Sequence, residues 1–130
     1  DRSKSTNDAI KYYSGTTKYT SNFKVSKSQI KSGQIFIDLG ELSNIATVKL
    51  NGLNCGVVWT YPYQADISKA IKAGNNLLEI EVSNTWANRL IGDQKLPEGK
   101  RITKTTAPIR LQEGNLLKAG LMGPVKLIVK

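Results

Sequence analysis

The sequence predicts an all-β fold, a sandwich of two antiparallel sheets, from three observations. Apolar and polar residues alternate with a period of two in several short segments, which is the pattern of strands with one buried face. Asn51 and Gly52 stand between two such segments and favour a two-residue hairpin turn, because both turn positions need positive φ. Glycine, proline, asparagine and serine separate the other segments. Many short strands at close spacing are typical of a β-sandwich.

The alternating segments give the expected strands in chain order. They are residues 17–25, 34–39, 46–50, 53–59, 78–82 and 125–130. Their apolar positions are expected to face the core. Residues 66–74 are expected to form one short helical turn, capped by Asp66 or Ser68 and ended by a glycine. Residues 84–120 alternate only weakly and are predicted to be a long irregular loop, a kind of segment that tends to carry function.

The composition predicts a single folded domain over residues 1–130, since 39% of the residues are hydrophobic and 22% are charged. The chain has one cysteine and no histidine. It therefore has no internal disulfide, no Ser-His-Asp triad, no Cys-His pair and no histidine-bound metal. Cys55 is expected to be a small buried hydrophobic residue. No stretch approaches the roughly 20 apolar residues that a membrane helix needs.

The net charge of +9 raises the alternative of a polyanion-binding surface. The basic residues are spread along the chain, and their density is highest over residues 95–110. No helix-turn-helix, zinc-finger or aromatic RNA-binding pattern accompanies them. We therefore expect a mildly basic solvated surface and no nucleic-acid partner. A nucleic-acid binder would need these charges to cluster in the fold.

Several segments together resemble the galactose-binding-like jelly-roll domain of glycoside hydrolase family 2, often called the sugar-binding domain. The matching segments are residues 13–19 (YSGTTKY), 37–40 (IDLG), 46–52 (ATVKLNG), 56–59 (GVVW), 62–63 (PY), 66–68 (DIS) and 74–84 (GNNLLEIEVSN). Residues 86–93 (WANRLIGD) and 120–125 (GLMGPV) look like the C-terminal β-sandwich of bacterial α-L-rhamnosidases such as those of family 106. The likeness runs over about residues 12–130, and the order and spacing of the motifs make it fairly specific.

This resemblance implies a jelly-roll β-sandwich that packs against a catalytic barrel of the same polypeptide. In such enzymes the barrel carries the acid and base carboxylates that act on the O-glycosyl bond, and no part of this chain matches it. The resemblance thus implies a non-catalytic accessory module of a secreted or periplasmic bacterial glycosidase, which braces the catalytic domain and contacts glycan. The alternative is a free-standing lectin-like module for plant or acidic polysaccharides. An enzyme in its own right is the least favoured reading.

The acidic residues give no convincing catalytic pair. Glycoside hydrolysis needs two carboxyl groups roughly 5–9.5 Å apart across a sugar, whereas Glu79 and Glu81 are expected to lie side by side on a solvent-facing strand. No cofactor is expected. Asp38 and Glu41 flank a turn and are the candidate ligands for a structural calcium, which some domains of this kind carry. Residues 1–11 precede the resemblance, and both order and disorder stay open for them.

Two clusters have the makeup of a sugar site, in which an aromatic ring stacks on a pyranose and planar polar groups pair with its hydroxyls. The first cluster is Trp59, Tyr61 and Tyr63 with Gln64. The second cluster is Asn84, Trp86, Asn88, Arg89 and Asp93.

Each cluster has a structural alternative. Trp59 alternates with Val57 and is favoured as a core residue, while Tyr63 would pack a corner. Trp86, Asn88 and Arg89 are favoured as residues that fix the loop or pack against another domain. For Asp93, an ion pair with Arg89 or hydrogen bonds that fix the loop are favoured over a catalytic role.

Overall fold

A computed structural model describes residues 1–31, 33–106 and 113–130. Its strands are β1 (Thr16–Val25), β2 (Ile35–Asp38), β3 (Glu41–Leu42), β4 (Ile45–Leu50), β5 (Leu53–Val58), β6 (Gln64–Asp66), β7 (Gly74–Ser83), β8 (Leu121–Gly123) and β9 (Lys126–Val129). Its α-helices are α1 (Asp8–Lys11) and α2 (Ala87–Gln94), and short 3-10 turns lie at Arg2–Lys4, Glu98–Lys100 and Glu113–Asn115.

The strands form two antiparallel sheets and a small additional pair. The first sheet has the order β1-β7-β4-β5, the second has the order β6-β2-β9, and β3 pairs with β8. The predicted antiparallel β-sandwich is therefore confirmed. In this arrangement β1 and β5 are the edges of the first sheet, and β6 and β9 are the edges of the second.

The core consists of the alternating apolar positions that the sequence predicts. The two sheets contribute Ile35, Ile37, Leu39, Ala46, Val48, Leu50, Leu78, Ile80 and Val82, each at most 4% exposed. The polar residues between them lie on the outer faces, where Lys18 pairs with Glu79 and Lys49 with Glu81. The expected solvent-facing position of the two glutamates is thus confirmed, and each has a basic partner.

The predicted hairpin turn joins β4 and β5. Asn51 and Gly52 have φ values of 52° and 82°, the positive values that this turn requires. The Asn51 side chain also donates to the carbonyl of Ala70 and to Oδ1 of Asn76, both at 2.8 Å, and accepts from the amide of Leu77 at 3.0 Å. The turn is thereby fixed against the beginning of β7.

The prediction for residues 84–120 is wrong in part, because α2 lies within them. This helix follows Trp86, whose side chain does not cap it, and it contains Asn88 and Gly92, so its sequence lacks the usual start signal and includes poor helix formers. Pro108 and Arg110, which belong to the same predicted loop and to its basic region, lie outside the described residues.

Within residues 66–74, the predicted single turn lies at residues 67–71, where the amides of Ala70 and Ile71 donate to the carbonyl of Ile67. Asp66 accepts from the amide of Ser68 at 2.8 Å and so fixes the first part of the turn, while Gly74 begins β7. Cys55 was expected to be buried. It packs against the core but is only partly buried.

Residues 1–11 contain the first 3-10 turn and α1. Asp1 and Arg2 both contact Ala119: Oδ1 of Asp1 accepts from its amide at 3.2 Å, and the amide of Arg2 donates to its carbonyl at 2.8 Å. These bonds attach the beginning of the described chain to the segment before β8. Among the described residues, no helix has the length and apolar character needed to cross a bilayer.

Candidate functional site

The first aromatic cluster follows edge strand β5. Trp59 comes directly after Val58, which is 8% exposed and faces the core, whereas Trp59 is 67% exposed and Tyr61 is 86% exposed. The interpretation of Trp59 as a core residue is therefore wrong. A bulge opposite Val48 and Lys49 shifts the register of β5, so that Val58 and not its odd-numbered neighbours points inward.

The remaining members of this cluster support the two exposed rings. The rings of Tyr61 and Tyr63 meet edge to face, with centroids 6.4 Å apart and planes at 88°. Tyr63 packs against the core, and its carbonyl accepts from the amide of Leu39 at 2.9 Å. The Tyr61–Pro62 peptide bond is cis. The expected corner packing of Tyr63 is confirmed, and the freely exposed rings are those of Trp59 and Tyr61.

Gln64 is engaged within the domain. Its Nε2 donates to Oδ2 of Asp38 at 2.8 Å, and its Oε1 accepts from Nζ of Lys130 at 3.1 Å. The hydrogen bond from Gln64, together with one from the amide of Gly40 at 2.7 Å, holds the pKa of Asp38 below its ordinary value of 3.8. Each polar atom of the Gln64 amide thus already has one partner within the domain.

Two apolar residues lie beside Trp59. Val57 is 50% exposed, and it pairs with Thr47 on β4. Ile45, at the beginning of β4, is 40% exposed. Both side chains lie on the outer face of the first sheet, because their chain neighbours Ala46 and Val58 point inward and adjacent residues of a strand face opposite sides. An exposed apolar strip therefore leads along the β5 edge to the two aromatic rings.

The second cluster lies in and around α2 and is mostly enclosed. Asn88 is 2% exposed; its Nδ2 donates to the carbonyl of Leu117 at 2.7 Å, and its Oδ1 accepts from the amide of Leu117 at 2.8 Å. Asn84 accepts from the amide of Gly15 at 2.8 Å and donates to the carbonyl of Tyr13 at 3.0 Å. Both asparagines use their amide groups to join distant parts of the chain.

The expected ion pair between Arg89 and Asp93 is confirmed, with Nη2 and Oδ1 2.7 Å apart. The other carboxylate oxygen of Asp93 accepts from the amides of Ile102 and Thr103 and from the hydroxyl of Thr103, at 3.1, 2.7 and 2.6 Å. Burial of Asp93 acts to raise its pKa, but the Thr103 hydrogen bonds and the charge of Arg89 outweigh burial, so the pKa lies below 3.8. Asp93 thus stays ionised and holds residues 102–103 against α2.

Trp86 is the second-cluster residue with a freely exposed side chain, since 63% of it is accessible at the beginning of α2. The structure therefore assigns different positions to the members of this cluster. Asn88, Arg89 and Asp93 fix the segment, as favoured, and Trp86 lies on the surface.

The candidate calcium ligands are also engaged. Asp38 accepts from Gln64 and Gly40, and Glu41 pairs with Nζ of Lys118 at 2.5 Å. The described part of the chain contains no group of three or more acidic, cysteine or histidine side chains placed to hold a metal ion. Burial raises the pKa of the Cys55 thiol, which keeps it protonated at neutral pH.

The arrangement of antiparallel sheets is that of a galactose-binding-like β-sandwich. A sequence model of the family described as glycosyl hydrolase 2 galactose-binding domain-like matches residues 4–115. The chain belongs to this family, as the resemblance in its motifs implied.

Two solved structures and one curated relative extend this finding. A rhamnosidase from Novosphingobium sp. PP1Y shares 41% sequence identity, with a TM-score of 0.83, over 97% of this chain and 12% of its own. A protein of Formosa agariphila named "Putative beta-glucuronidase" is 40% identical over 95% of this chain and 13% of its own length. A β-glucuronidase from Lactobacillus rhamnosus shares 29% identity, with a TM-score of 0.56, over 64% of this chain and 14% of its own. The chain thus spans only about an eighth of its relatives.

Proposed function

We propose that this chain is a non-catalytic accessory module of a larger glycoside hydrolase, where it braces the catalytic domain and contacts glycan. The observation that carries the proposal is the family match over residues 4–115 in a chain that spans 12% and 13% of two glycosidase relatives. The carboxylates support a non-catalytic role, because Asp38, Glu41, Glu79, Glu81 and Asp93 are each held by a basic or amide partner within the domain.

The surface that we assign to glycan is formed by Trp59 and Tyr61. A pyranose presents an apolar C–H face that stacks on an aromatic ring, and these two rings are 67% and 86% exposed. The polar residues of the second cluster are less suited, because Asn88 and Asp93 are each 2% exposed and already hydrogen-bonded. A free-standing lectin-like module would use this same surface.

The glycan contact is tested by titrating the domain with rhamnose, galactose, galacturonic acid and pectic oligosaccharides while recording ¹⁵N–¹H spectra. We expect the indole signal of Trp59 to shift saturably, and Trp59→Ala to weaken binding by about tenfold or more, as for a central aromatic contact. Trp86→Ala is the matched control, since Trp86 is similarly exposed at 63% but lies at α2.

Two results would contradict the assignment of the glycan surface. The first is binding that Trp86→Ala abolishes and Trp59→Ala does not. The second is the absence of any saturable shift at millimolar sugar. Binding of galacturonic acid alone, lost as salt is raised, would instead indicate attraction by the net positive charge.

The accessory role is tested by the size and location of the natural protein. An antibody against these 130 residues should detect a polypeptide several times larger than 14.3 kDa, in the periplasmic or secreted fraction of the source cells. A band of 14.3 kDa alone would refute the bracing role and favour the lectin-like alternative. Glycosidase activity of the isolated chain at enzymatic rates would refute both.

A further inference from the structure

The two sheets leave an open groove along one side of the sandwich. Strand β1 is an edge of the first sheet and β9 is an edge of the second, and the groove runs between them. Its volume is about 460 Å³, within the range of roughly 300–1,000 Å³ that is usual for binding sites. The core residues Ile37, Leu78 and Ile80 line its floor.

The walls of the groove are apolar and incompletely covered. On β9, Leu127 lines the groove and is 38% exposed, although its β2 partner Ile37 is 2% exposed. Tyr19 and Phe23 line the groove from β1, and both are only partly buried. Apolar side chains on the inner faces of both edge strands therefore lack the cover that the rest of the sandwich provides. The sequence alternation predicted their inward direction but could not reveal that they lie at an open edge.

The β1 backbone offers a free edge beside this groove. The strand is ten residues long and pairs with β7 along its whole length. On the other side, the backbone of residues 18–24 makes no hydrogen bond to any residue that the structure describes. Long exposed edge strands invite pairing with another strand, and proteins generally cover or protect them.

The charges at the groove favour an acidic occupant. Lys24 and Lys126 lie at the rim of the groove, where strand alternation points both toward the outer faces, and none of the described lining residues is acidic. A second copy of this chain is a poor occupant, because each copy carries a net charge of +9. Antiparallel pairing of two β1 strands about Ser21 would also place Lys18 opposite Lys24, and like charges opposed across strands are destabilising.

We propose that β1 and the groove accept an extended segment from the remainder of the larger glycosidase, added as a further strand of the first sheet. Its apolar side chains alternate into the groove over Tyr19, Ser21 and Phe23, a span of roughly 13 Å. Its acidic side chains stand on the opposite face, near Lys24, because Lys18 on that face already pairs with Glu79. Strand addition of this kind combines main-chain hydrogen bonds with pockets for alternate side chains. The inference rests on the proposed function, which supplies the larger polypeptide.

The test uses the 130-residue chain and two nine-residue peptides as probes. One peptide alternates valine and glutamate, and its matched control alternates valine and lysine. We expect the glutamate peptide to shift the amides of residues 18–24 and Leu127 saturably in ¹⁵N–¹H spectra. The lysine peptide should bind about threefold more weakly or worse, because it places like charges beside Lys24 in place of opposite ones.

Two variants at neighbouring positions of β1 distinguish docking in the groove from nonspecific electrostatic attraction between peptide and domain. Ser21 faces the groove and Asn22 faces the opposite side, and both are exposed, so both lysine substitutions are compatible with folding. Ser21→Lys should abolish peptide binding, because it places a charge in the apolar groove. Asn22→Lys should retain it. Unchanged melting temperatures would show that the loss in Ser21→Lys is not caused by unfolding.

Three outcomes overturn this inference: no saturable shift with the glutamate peptide, equal binding of the lysine peptide, or equal binding by Ser21→Lys. Failure of this inference can be distinguished from failure of the proposed function. Peptide docking together with a natural protein of only 14.3 kDa would refute the accessory role, while a large natural protein without peptide docking would refute the strand acceptor.

Discussion

At the scale of single residues, Asp93 makes the densest set of polar contacts in the candidate site. It pairs with Arg89 and accepts three hydrogen bonds from residues 102 and 103, while its side chain is only 3% exposed. We predict that Asp93→Ala lowers the free energy of unfolding by about 3 kcal/mol, because it leaves a nearly buried guanidinium and three donors without their acceptor. Urea unfolding followed by tryptophan fluorescence measures the change.

The matched control is an ion pair on the surface. Glu41 and Lys118 have side chains that are 52% and 62% exposed, and removal of such a pair costs at most about 1 kcal/mol. Glu41→Ala should therefore be close to the unaltered domain in stability. Equal effects of Glu41→Ala and Asp93→Ala would contradict the structural role assigned to Asp93.

For single residues, the sequence could not predict exposure or hydrogen-bond partners where these depend on residues distant in the chain. The pairing of Arg89 with Asp93 was predictable, since the sequence places these opposite charges four residues apart in one segment. The exposure of Trp59 was not, because the bulge in β5 changes which residues of that strand point inward. Asn88 was predicted to fix the loop, but its partner Leu117 could not be predicted because it is distant in sequence.

At the scale of elements, α2 packs on Tyr12 through Gly92. A Cβ atom at position 92 would lie 2.5 Å from Cγ and 2.7 Å from Cβ of Tyr12, which is 3% exposed. Alanine favours a helix over glycine by about 1 kcal/mol, but the overpacking costs about 1–3 kcal/mol because it involves the base of an enclosed ring. We predict that Gly92→Ala destabilises the domain, measured as a lower melting temperature.

Gly99→Ala is the control for the glycine substitution, because an added Cβ there meets no atom within 4 Å. It should leave the melting temperature nearly unchanged. A stabilising effect of Gly92→Ala would show that helix propensity outweighs the contact with Tyr12.

Element prediction succeeded where one face of a strand is continuously buried. The segments of β4 and β7 alternate cleanly because Ala46, Val48 and Leu50 meet Val82, Ile80 and Leu78 across the sheet. It failed for α2, which is only eight residues long, contains Asn88 and Gly92 and has no capping side chain. It also failed for β3, β6 and β8, which have two or three residues each and are held by their partner strands more than by their own sequence.

At the scale of the whole molecule, some lysines have an acidic partner, but basic residues still exceed acidic ones. Lys18, Lys49 and Lys118 pair with glutamates on the outer surface, yet the net charge is +9. The net charge and the spread of basic residues along the chain were predictable from the sequence. The sequence could not predict that Lys24 and Lys126 border the same groove, because β1 and β9 come together only through the topology of the two sheets.

This charge distribution makes stability depend on pH in a defined direction. The pKa values of Asp38, Asp66, Glu79 and Asp93 all lie below their ordinary values of 3.8 for aspartate and 4.5 for glutamate. A carboxyl with a lowered folded pKa contributes stability that is complete above its unfolded pKa and is lost as the pH falls through the folded pKa. We therefore predict a level melting temperature from about pH 7 to pH 5 and a steep fall below about pH 4.

Salt separates the two causes of this acid destabilisation. Protonation of the carboxylates leaves 19 lysines and arginines uncompensated, so repulsion grows as their partners are lost. About 0.5 M sodium chloride screens the repulsion between exposed charges but does not restore the hydrogen bonds that Asp93 and Asp38 accept. Salt should therefore recover only part of the melting temperature at acidic pH. Asp93→Ala should show a smaller fall between pH 5 and pH 3 than the unaltered domain, and a fall of equal size would place the acid-sensitive interactions elsewhere in the fold.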